Sequence, residues 1–338
     1  MYELYIINNG KFSQSLYPWE SLDLSEVKKN LANLNISAKE ISFADINNSG
    51  LDFYKNKIIL FGGSQNKIEK SLIEDYAYWL TKHNANVIPS YECLRALENK
   101  GFQALSSESL LGNKKLKYFY NDSDKIFYSD DYVYKLIDGA GSNGVFRCEN
   151  KNELTKKIKN LKFKNINLNT LIPYIKQVIK KLIKWRYIPK KEEYYKPKIN
   201  LVMQRFIRNL NCDYKVLIFG KRYFVLKRNI ASGDFRASGS NLFEIIETVP
   251  NEVLDMAKNI FTKLNTPYCS LDISIDADNV ANLIEYQCTH FGPYTYLTAI
   301  KQYFINNNGD WVSVDWERKS LEWAYAEAIA EYLNEKLL

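Results

Sequence analysis

Asp272 and Glu285 are the residues whose placement most demands a chemical reason. Asp272 sits between apolar neighbours in "SLDIS", and Glu285 lies in "LIEYQ", a second strand-like run that follows a polar turn at Ala277–Asn279. Charged side chains in such runs are rarely buried unless they are paired or bound to metal. Two adjacent strands presenting carboxylates to one face make an oxygen-ligand site suited to Mg2+; a structural ion pair is the competing reading. Composition narrows the metal further. His83 and His290 are the two histidines of the chain, and Cys93, Cys148, Cys212, Cys269 and Cys288 include no C-x-x-C pair. A histidine-rich centre is excluded, and reduced thiols fit better than a disulfide frame or a zinc site.

A second stretch, "VYKLIDGAGSNGVF" (133–146), spaces Gly139, Gly141 and Gly144 as G-x-G-x-x-G. A dinucleotide fingerprint needs a strand before those glycines and a helix opening on them. The strand is present, but Val145, Phe146, Arg147 and Cys148 read as a second strand, and helix-like sequence begins only near Asn150. Strand, loop, strand is a hairpin with a flexible tip. Glycines there let backbone N–H groups approach phosphate oxygens closely and let the loop move. A triphosphate carries about four negative charges, which need lysines, backbone N–H groups and metal ions around them. Lys135 ends the strand that points at the loop, and Lys100 precedes both in "LENKGFQ".

These groups require elements to position them. "ELYIIN" (3–8), "AKEISFAD" (38–45), "KIILFGG" (57–63) and "NVIPS" (86–90) predict strands, with helical runs at about 25–34 and 67–82. That alternation predicts a small parallel α/β domain, and a helix through "YECLRALENKGFQALS" leads out of it. After the hairpin come a helix at about 151–160, a basic insertion to 198, and three consecutive strands over 199–230. The strand pair carrying Asp272 and Glu285 follows, and a terminal helix occupies about 318–337. The fold class is α/β (α+β).

Taken with "LVMQRFIRNLNCDYKVLIFGKRYFVLKRNIASGDFRASGSN" (201–241), these motifs resemble the ATP-grasp superfamily in order and spacing over nearly the whole chain. "GDFRASGSN" and "EYQCTHFGPYTY" are more narrowly similar to carboxylate-amine ligase-like ATP-grasp proteins found with capsule and lipopolysaccharide biosynthesis. The resemblance implies a pre-ATP-grasp α/β domain over 1–112 and a lid subdomain with a basic helical insertion over 113–198. A C-terminal antiparallel-sheet catalytic subdomain would span 199–338. It implies ATP and Mg2+ as cofactors. Lys100, Lys135 and the loop residues Gly139, Gly141, Ser142 and Gly144 would contact the phosphates. Gln204 and Phe206, in a hinge strand, would meet the adenine, and Asp213 the ribose. Asp272, Glu285 and Gln287 would hold the metal, the last standing where the family has Asn. Arg228 and Arg236 would hold the transferring phosphoryl group or the acyl-phosphate oxygens, a task suited to a planar, permanently charged fork. Lys215 stands where related ligases often carry Arg. His290 falls where the family's post-metal loop reaches the acceptor substrate.

At 338 residues and 46% hydrophobic, the chain can bury a large core and has room for two or three domains. The start lacks the basic and apolar regions of a secretory signal, and no segment approaches the ~18 apolar residues of a membrane span. A cytoplasmic protein is expected, at the inner face of the membrane if the insertion meets lipid. The net charge of +7 conceals an asymmetry: residues 151–198 carry 15 Lys/Arg against 3 Glu, a net of +12, so the remainder sums to −5. Within that segment "TLIPYIKQVIKKLIKWR" places Leu171, Ile172, Ile175, Val178, Ile179, Leu182 and Ile183 on one helical face and Lys176, Lys180, Lys181 and Lys184 on the other. The apolar face could pack on the domain and leave a solvated lysine face. Alternatively residues 171–191 could attract an anionic substrate or membrane surface. No base-reading or aromatic-stacking module points to nucleic acid, and the resemblance allows a homodimer.

The expected activity is ATP-dependent amide formation from a small-molecule carboxylate and amine through an acyl phosphate, on a sugar or amino acid for surface polysaccharide. The same fold would serve a kinase acting on a hydroxyl or amide, or a nucleotide-binding protein without turnover. The glycine spacing alone would suggest a dinucleotide-dependent oxidoreductase.

Overall fold

In the computed structural model, all residues are described except 1, 13–16, 18, 139–143, 166, 237–239, 241 and 337–338. Strands β1 (Tyr2–Ile7), β2 (Ile36–Ile41), β3 (Ile58–Leu60) and β4 (Asn86–Ile88) pair in parallel in the order β2-β1-β3-β4. Helices α1 (Leu24–Asn33), α2 (Phe43–Ser49) and α3 (Lys67–Lys82) lie in the crossovers, as a parallel sheet requires. The strand expected over 38–45 ends at Ile41, because Ser42 and Asp45 cap each other's backbone and start α2 instead. The helix expected through "YECLRALENKGFQALS" is two, α4 (Tyr91–Ala96) and α5 (Lys100–Leu111). They part where Glu98 adopts φ +46° and the Asn99 side chain caps α5. That break places Lys100 at the first turn of a helix.

A second sheet has the order β5-β8-β6-β7, built from β5 (Tyr118–Asp122), β6 (Tyr132–Leu136), β7 (Val145–Phe146) and β8 (Asn200–Arg205). β6 and β7 are the expected hairpin, with β7 shorter than the sequence reading of 145–148. Between β7 and β8 run α6 (Lys151–Lys164), α7 (Leu168–Leu182) and α8 (Pro189–Tyr195). Residues 116–206 form one compact unit, and residues 1–115 with 207–338 form the other. β8 is hydrogen-bonded on both sides within the first of these, whereas the sequence boundary at 199 grouped it with the strands that follow.

The larger unit adds β9 (Cys212–Phe219), β10 (Arg222–Asn229), β11 (Phe243–Glu244), α9 (Asn251–Leu264), β12 (Tyr268–Ile275) and β13 (Ala281–Gln287). It ends with α10 (Tyr294–Thr298), β14 (Lys301–Ile305), β15 (Trp311–Asp315) and α11 (Leu321–Lys336). The strands form a seven-stranded antiparallel sheet, β13-β12-β9-β10-β14-β15, with β11 beside β10. α9 was not read from the sequence, although Val253, Leu254, Ala257, Ile260 and Leu264 bury one face at helical spacing. It covers one side of the sheet, sharing a core with Val216, Ile218, Leu271 and Ile273. On the other side Leu217, Phe219 and Tyr268 share a core with α11 and with Leu4, Ile6 and Leu60 of the parallel sheet. α11 buries Ala324, Tyr325, Ala326, Ala328, Ile329 and Ala330, positions right round the helix, as packing on more than one side demands.

Phe219 anchors this core, its ring 5.1–6.3 Å from those of Tyr325, Tyr296, Phe291 and Phe224. Phe219→Ala is expected to lower unfolding free energy by about 3–5 kcal/mol in urea titrations. A loss below about 1 kcal/mol would show that the ring cluster closes over the gap.

Candidate active site

Strand alternation builds the site. On β9 the side chains of Asp213, Lys215, Leu217 and Phe219 share one face. Leu217 and Phe219 lie in the core under α11, and the same face continues as charge at Lys215 and Asp213. β10 changes likewise from Phe224 and Leu226 to Arg228, and β12 from Tyr268 through Ser270 to Asp272. Antiparallel register gathers the charged ends: Asp213 opposes Arg228, Lys215 opposes Asp272, and Asp272 opposes Glu285.

Arg228 occupies the centre. Its Nε donates to Asp213 Oδ1 at 2.6 Å and its Nη2 to Asp213 Oδ2 at 2.8 Å. The same Nη2 lies 2.9 Å from Asp272 Oδ2. Lys215 Nζ is 3.6 Å from Asp272 Oδ1, and Lys100 Nζ, on α5, is 3.6 Å from Glu285 Oε1. Three cations thus balance three carboxylates in a largely buried group. Burial works to raise the Asp272 carboxyl, but the Arg228 and Lys215 charges outweigh it and hold it at about 2. Asp213 is pushed up to about 6 by desolvation in spite of Arg228. The guanidinium, between two carboxylates, stays charged.

The geometry places the residues singled out by the sequence. Asp213, expected at the ribose, is 2% exposed with both oxygens on Arg228. Arg236 is engaged within its own loop, where Nε and Nη2 grip Asp234 at 2.9 and 2.8 Å. Lys215, left without a role by the sequence, belongs to the central group. Its spacing of two residues from Asp213 puts both on one strand face, but its partner Asp272 is given only by the register. Asp272, Glu285 and Gln287 share a face, Gln287 opposite Ser270, and together offer only oxygen donors toward a cation. Among the described residues no cluster of three or more His, Cys, Asp or Glu side chains could hold a metal. Two carboxylates and an amide suit Mg2+, which completes its shell with phosphate and water oxygens rather than with an all-protein cage.

His290 is 3% exposed and adopts φ +54° in the loop after β13. That loop lies against the carboxyl ends of β1 and β3: a Cβ on Gly63 would stand 2.6 Å from Thr289 Oγ1. Nearby, Glu69 of α3 accepts from Gly10 N at 3.1 Å and from Ser64 Oγ at 2.5 Å. β1 and β3 flank the point where the parallel strand order reverses, the usual ligand crevice of such sheets. Sequence reasoning singled out His290 here and missed Ser64, Glu69 and Thr289.

In the unit of residues 116–206, Lys135 is 9% exposed on β6 and its ammonium donates to Gln204 Oε1 on β8. Phe206 lies under the Arg147 guanidinium, 3.9 Å from ring centroid to Cζ. Gly144 has φ +77°, and a Cβ there would stand 2.8 Å from Leu136 Cδ1, so the hairpin needs glycine at this end of its loop. Gly139, Gly141 and Ser142 lie outside the described residues. The strand after the loop removes the helix N-terminus that a dinucleotide would require.

No family model matches the sequence, and no curated protein matches it. Solved structures do match its fold. A D-cycloserine synthetase superposes with TM-score 0.53 at 11% identity, over 98% of this chain and 99% of that one. A macrocyclase from Microcystis aeruginosa MRC, bound with a precursor peptide, matches with TM-score 0.50 at 10% identity over 98% and 99%. An ATP-grasp ligase complexed with minimal precursor, Mg and ADP matches with TM-score 0.50 at 11% identity over 97% of each chain. The chain has the ATP-grasp fold.

Burial holds the His290 imidazole neutral, its pKa lowered from the ordinary 6.5 to about 4. A histidine with a depressed folded-state pKa leaves stability intact above 6.5 and removes it as pH falls toward 4, because the unfolded chain takes up the proton first. Wild-type stability in urea should therefore drop across that window by about 3 kcal/mol at most relative to His290→Asn. Parallel pH profiles for the two proteins would show that His290 is not held neutral.

Proposed function

We propose that the protein is an ATP- and Mg2+-dependent carboxylate–amine ligase. The observation that supports this best is the charge-balanced group of Lys100, Asp213, Lys215, Arg228, Asp272 and Glu285 at one end of the seven-stranded sheet. A substrate carboxylate oxygen attacks the γ-phosphorus, the bond to the ADP oxygen breaks, and an acyl phosphate forms. The amine nitrogen then attacks the acyl carbon, phosphate leaves, and loss of a proton gives the amide. Such transfer depends on positioning and fixed charge more than on a protein nucleophile.

Mg2+ held by Asp272, Glu285 and Gln287 would supply charge neutralisation at phosphate oxygens. Lys100 and Lys215, each now beside one of those carboxylates, present ammonium groups suited to the same phosphates. Arg228, oriented by Asp213, would supply a permanent positive charge for the transferring phosphoryl group. Lys135, the loop from Gly139 to Gly144, Gln204 and Phe206 are assigned to the nucleotide on the same reading. Arg236 would meet the acyl phosphate on leaving Asp234. The crevice at Ser64, Glu69, Thr289 and His290 would take the acceptor, and the capsule-protein resemblance favours a sugar or amino acid.

ATP with Mg2+ is expected to raise Tm by several degrees, as binding to the folded state must, whereas NAD should not. Asp272→Asn should remove the Mg2+-dependent part of the shift. Wild-type behaviour of that variant, or no shift with the native chain, would sink the proposal. Release of both ADP and free phosphate, screened over amino acids, amines and uronic-acid sugars, marks a ligase; a product that keeps the phosphate marks a kinase. Asp213→Asn should lower kcat about tenfold or more while leaving the ATP-induced Tm shift intact. Loss of the ATP shift in that variant would instead restore Asp213 as a nucleotide contact.

A further inference from the structure

On α7 the apolar stripe of an amphipathic helix is left exposed. Leu168, Ile172, Ile175, Ile179 and Leu182 recur on one stripe, and each is between 44% and 77% exposed. Half a turn away Gln177 is 2% exposed, and its Oε1 accepts from the Ile188 backbone N–H at 3.1 Å. Gln177 packs on the turn toward α8, and the apolar stripe faces out. Trp185, 54% exposed, extends the stripe past the helix end, with the Arg186 guanidinium 5.0 Å from its ring. The sequence also allowed the apolar face to pack on the domain.

Charge selects what covers this stripe. Lys176 and Lys180 lie to one side of it, in a segment whose net charge is +12 over residues 151–198. A second copy meeting it through the same face would set that charge against itself, since a two-fold interface pairs identical patches. The occupant must combine negative charge with an apolar phase. A helical peptide needs a groove between elements to receive it, whereas a single helix offers a convex ridge. An anionic bilayer surface supplies both requirements without a groove: headgroups for the lysines and the acyl boundary for the stripe.

We propose that α7 and the turn after it form a peripheral docking surface for anionic lipid membranes. The apolar stripe enters the headgroup boundary, the flanking lysines meet lipid phosphates and carboxylates, and Trp185 sits at the interface. This assignment stands apart from the ligase reading, since it uses none of the residues placed in the candidate active site.

The test is co-sedimentation of the full-length protein with phosphatidylcholine vesicles, with and without phosphatidylserine, at low and high salt. Binding should need the anionic lipid, weaken with salt, and fall about tenfold in Ile175→Glu/Ile179→Glu and in Lys176→Glu/Lys180→Glu. These positions lie on the surface, and an unchanged Tm confirms that each variant is folded. Absence of binding at low salt, or binding indifferent to the isoleucine changes, overturns the proposal. Two other results also overturn it. One is a dimer, seen by sedimentation velocity without lipid, that the isoleucine changes dissociate, which assigns the face to a second copy. The other is an acidic amphipathic peptide that binds where vesicles do not.

Discussion

A guanidinium buried between two carboxylates organises this protein. Arg228 is 6% exposed, with Asp213 taking two of its hydrogen bonds and Asp272 a third contact. A single buried carboxylate beside a buried arginine would leave donors unmet, and a single arginine between two acids without Lys215 would leave a net negative charge in low dielectric. With Lys215 and the Lys100–Glu285 pair the group is neutral, and it becomes tolerable inside a sheet. Replacing such a group by apolar side chains often stabilises a fold. Its presence here is therefore better explained by chemistry than by stability.

The seven-stranded sheet makes this arrangement possible by dividing its strands lengthwise. Toward one end the face is Leu217, Phe219, Phe224 and Tyr268, packed with α11; toward the other it is Asp213, Lys215, Arg228 and Asp272. The apolar half fixes strand register, because a one-residue slip would turn Phe219 away from its ring partners. Register in turn fixes which charges meet. The core of the larger unit and the charge geometry of the candidate site are therefore set by one constraint. Lys100 joins from outside the sheet because Glu98 and Asn99 interrupt what would otherwise be a single helix.

The residues that the sequence exposed most clearly were those that violated local expectation. Asp272 and Glu285 in apolar runs, and the glycine hairpin with a strand on each side, were legible because no ordinary packing requirement explains them. Residues that obey local rules were harder to read. Lys215 looks like a solvated strand residue until its register opposite Asp272 is known. Ser64 and Glu69 look like an ordinary turn and helix start until their bond at the end of the parallel sheet is seen. The bond from Arg228 to Asp213 is not legible locally, because nothing in the sequence says that the partner is fifteen residues away on the next strand. α9 was overlooked although its apolar spacing is helical.

The sequence by itself determined the alternation of strand and helix in the first ninety residues, the hairpin at 132–146, and the order of lysine, glycine loop and paired acids along the chain. These follow from local periodicity and from the cost of placing charge in apolar runs. Only the tertiary structure decided which charges neutralise one another, that β8 belongs with the hairpin sheet, and that α7 turns its apolar stripe outward. Those outcomes depend on register and on which face of an element meets the rest of the chain. Periodicity identifies two faces of a helix or strand, but what each face packs against is settled by contacts between residues far apart in sequence.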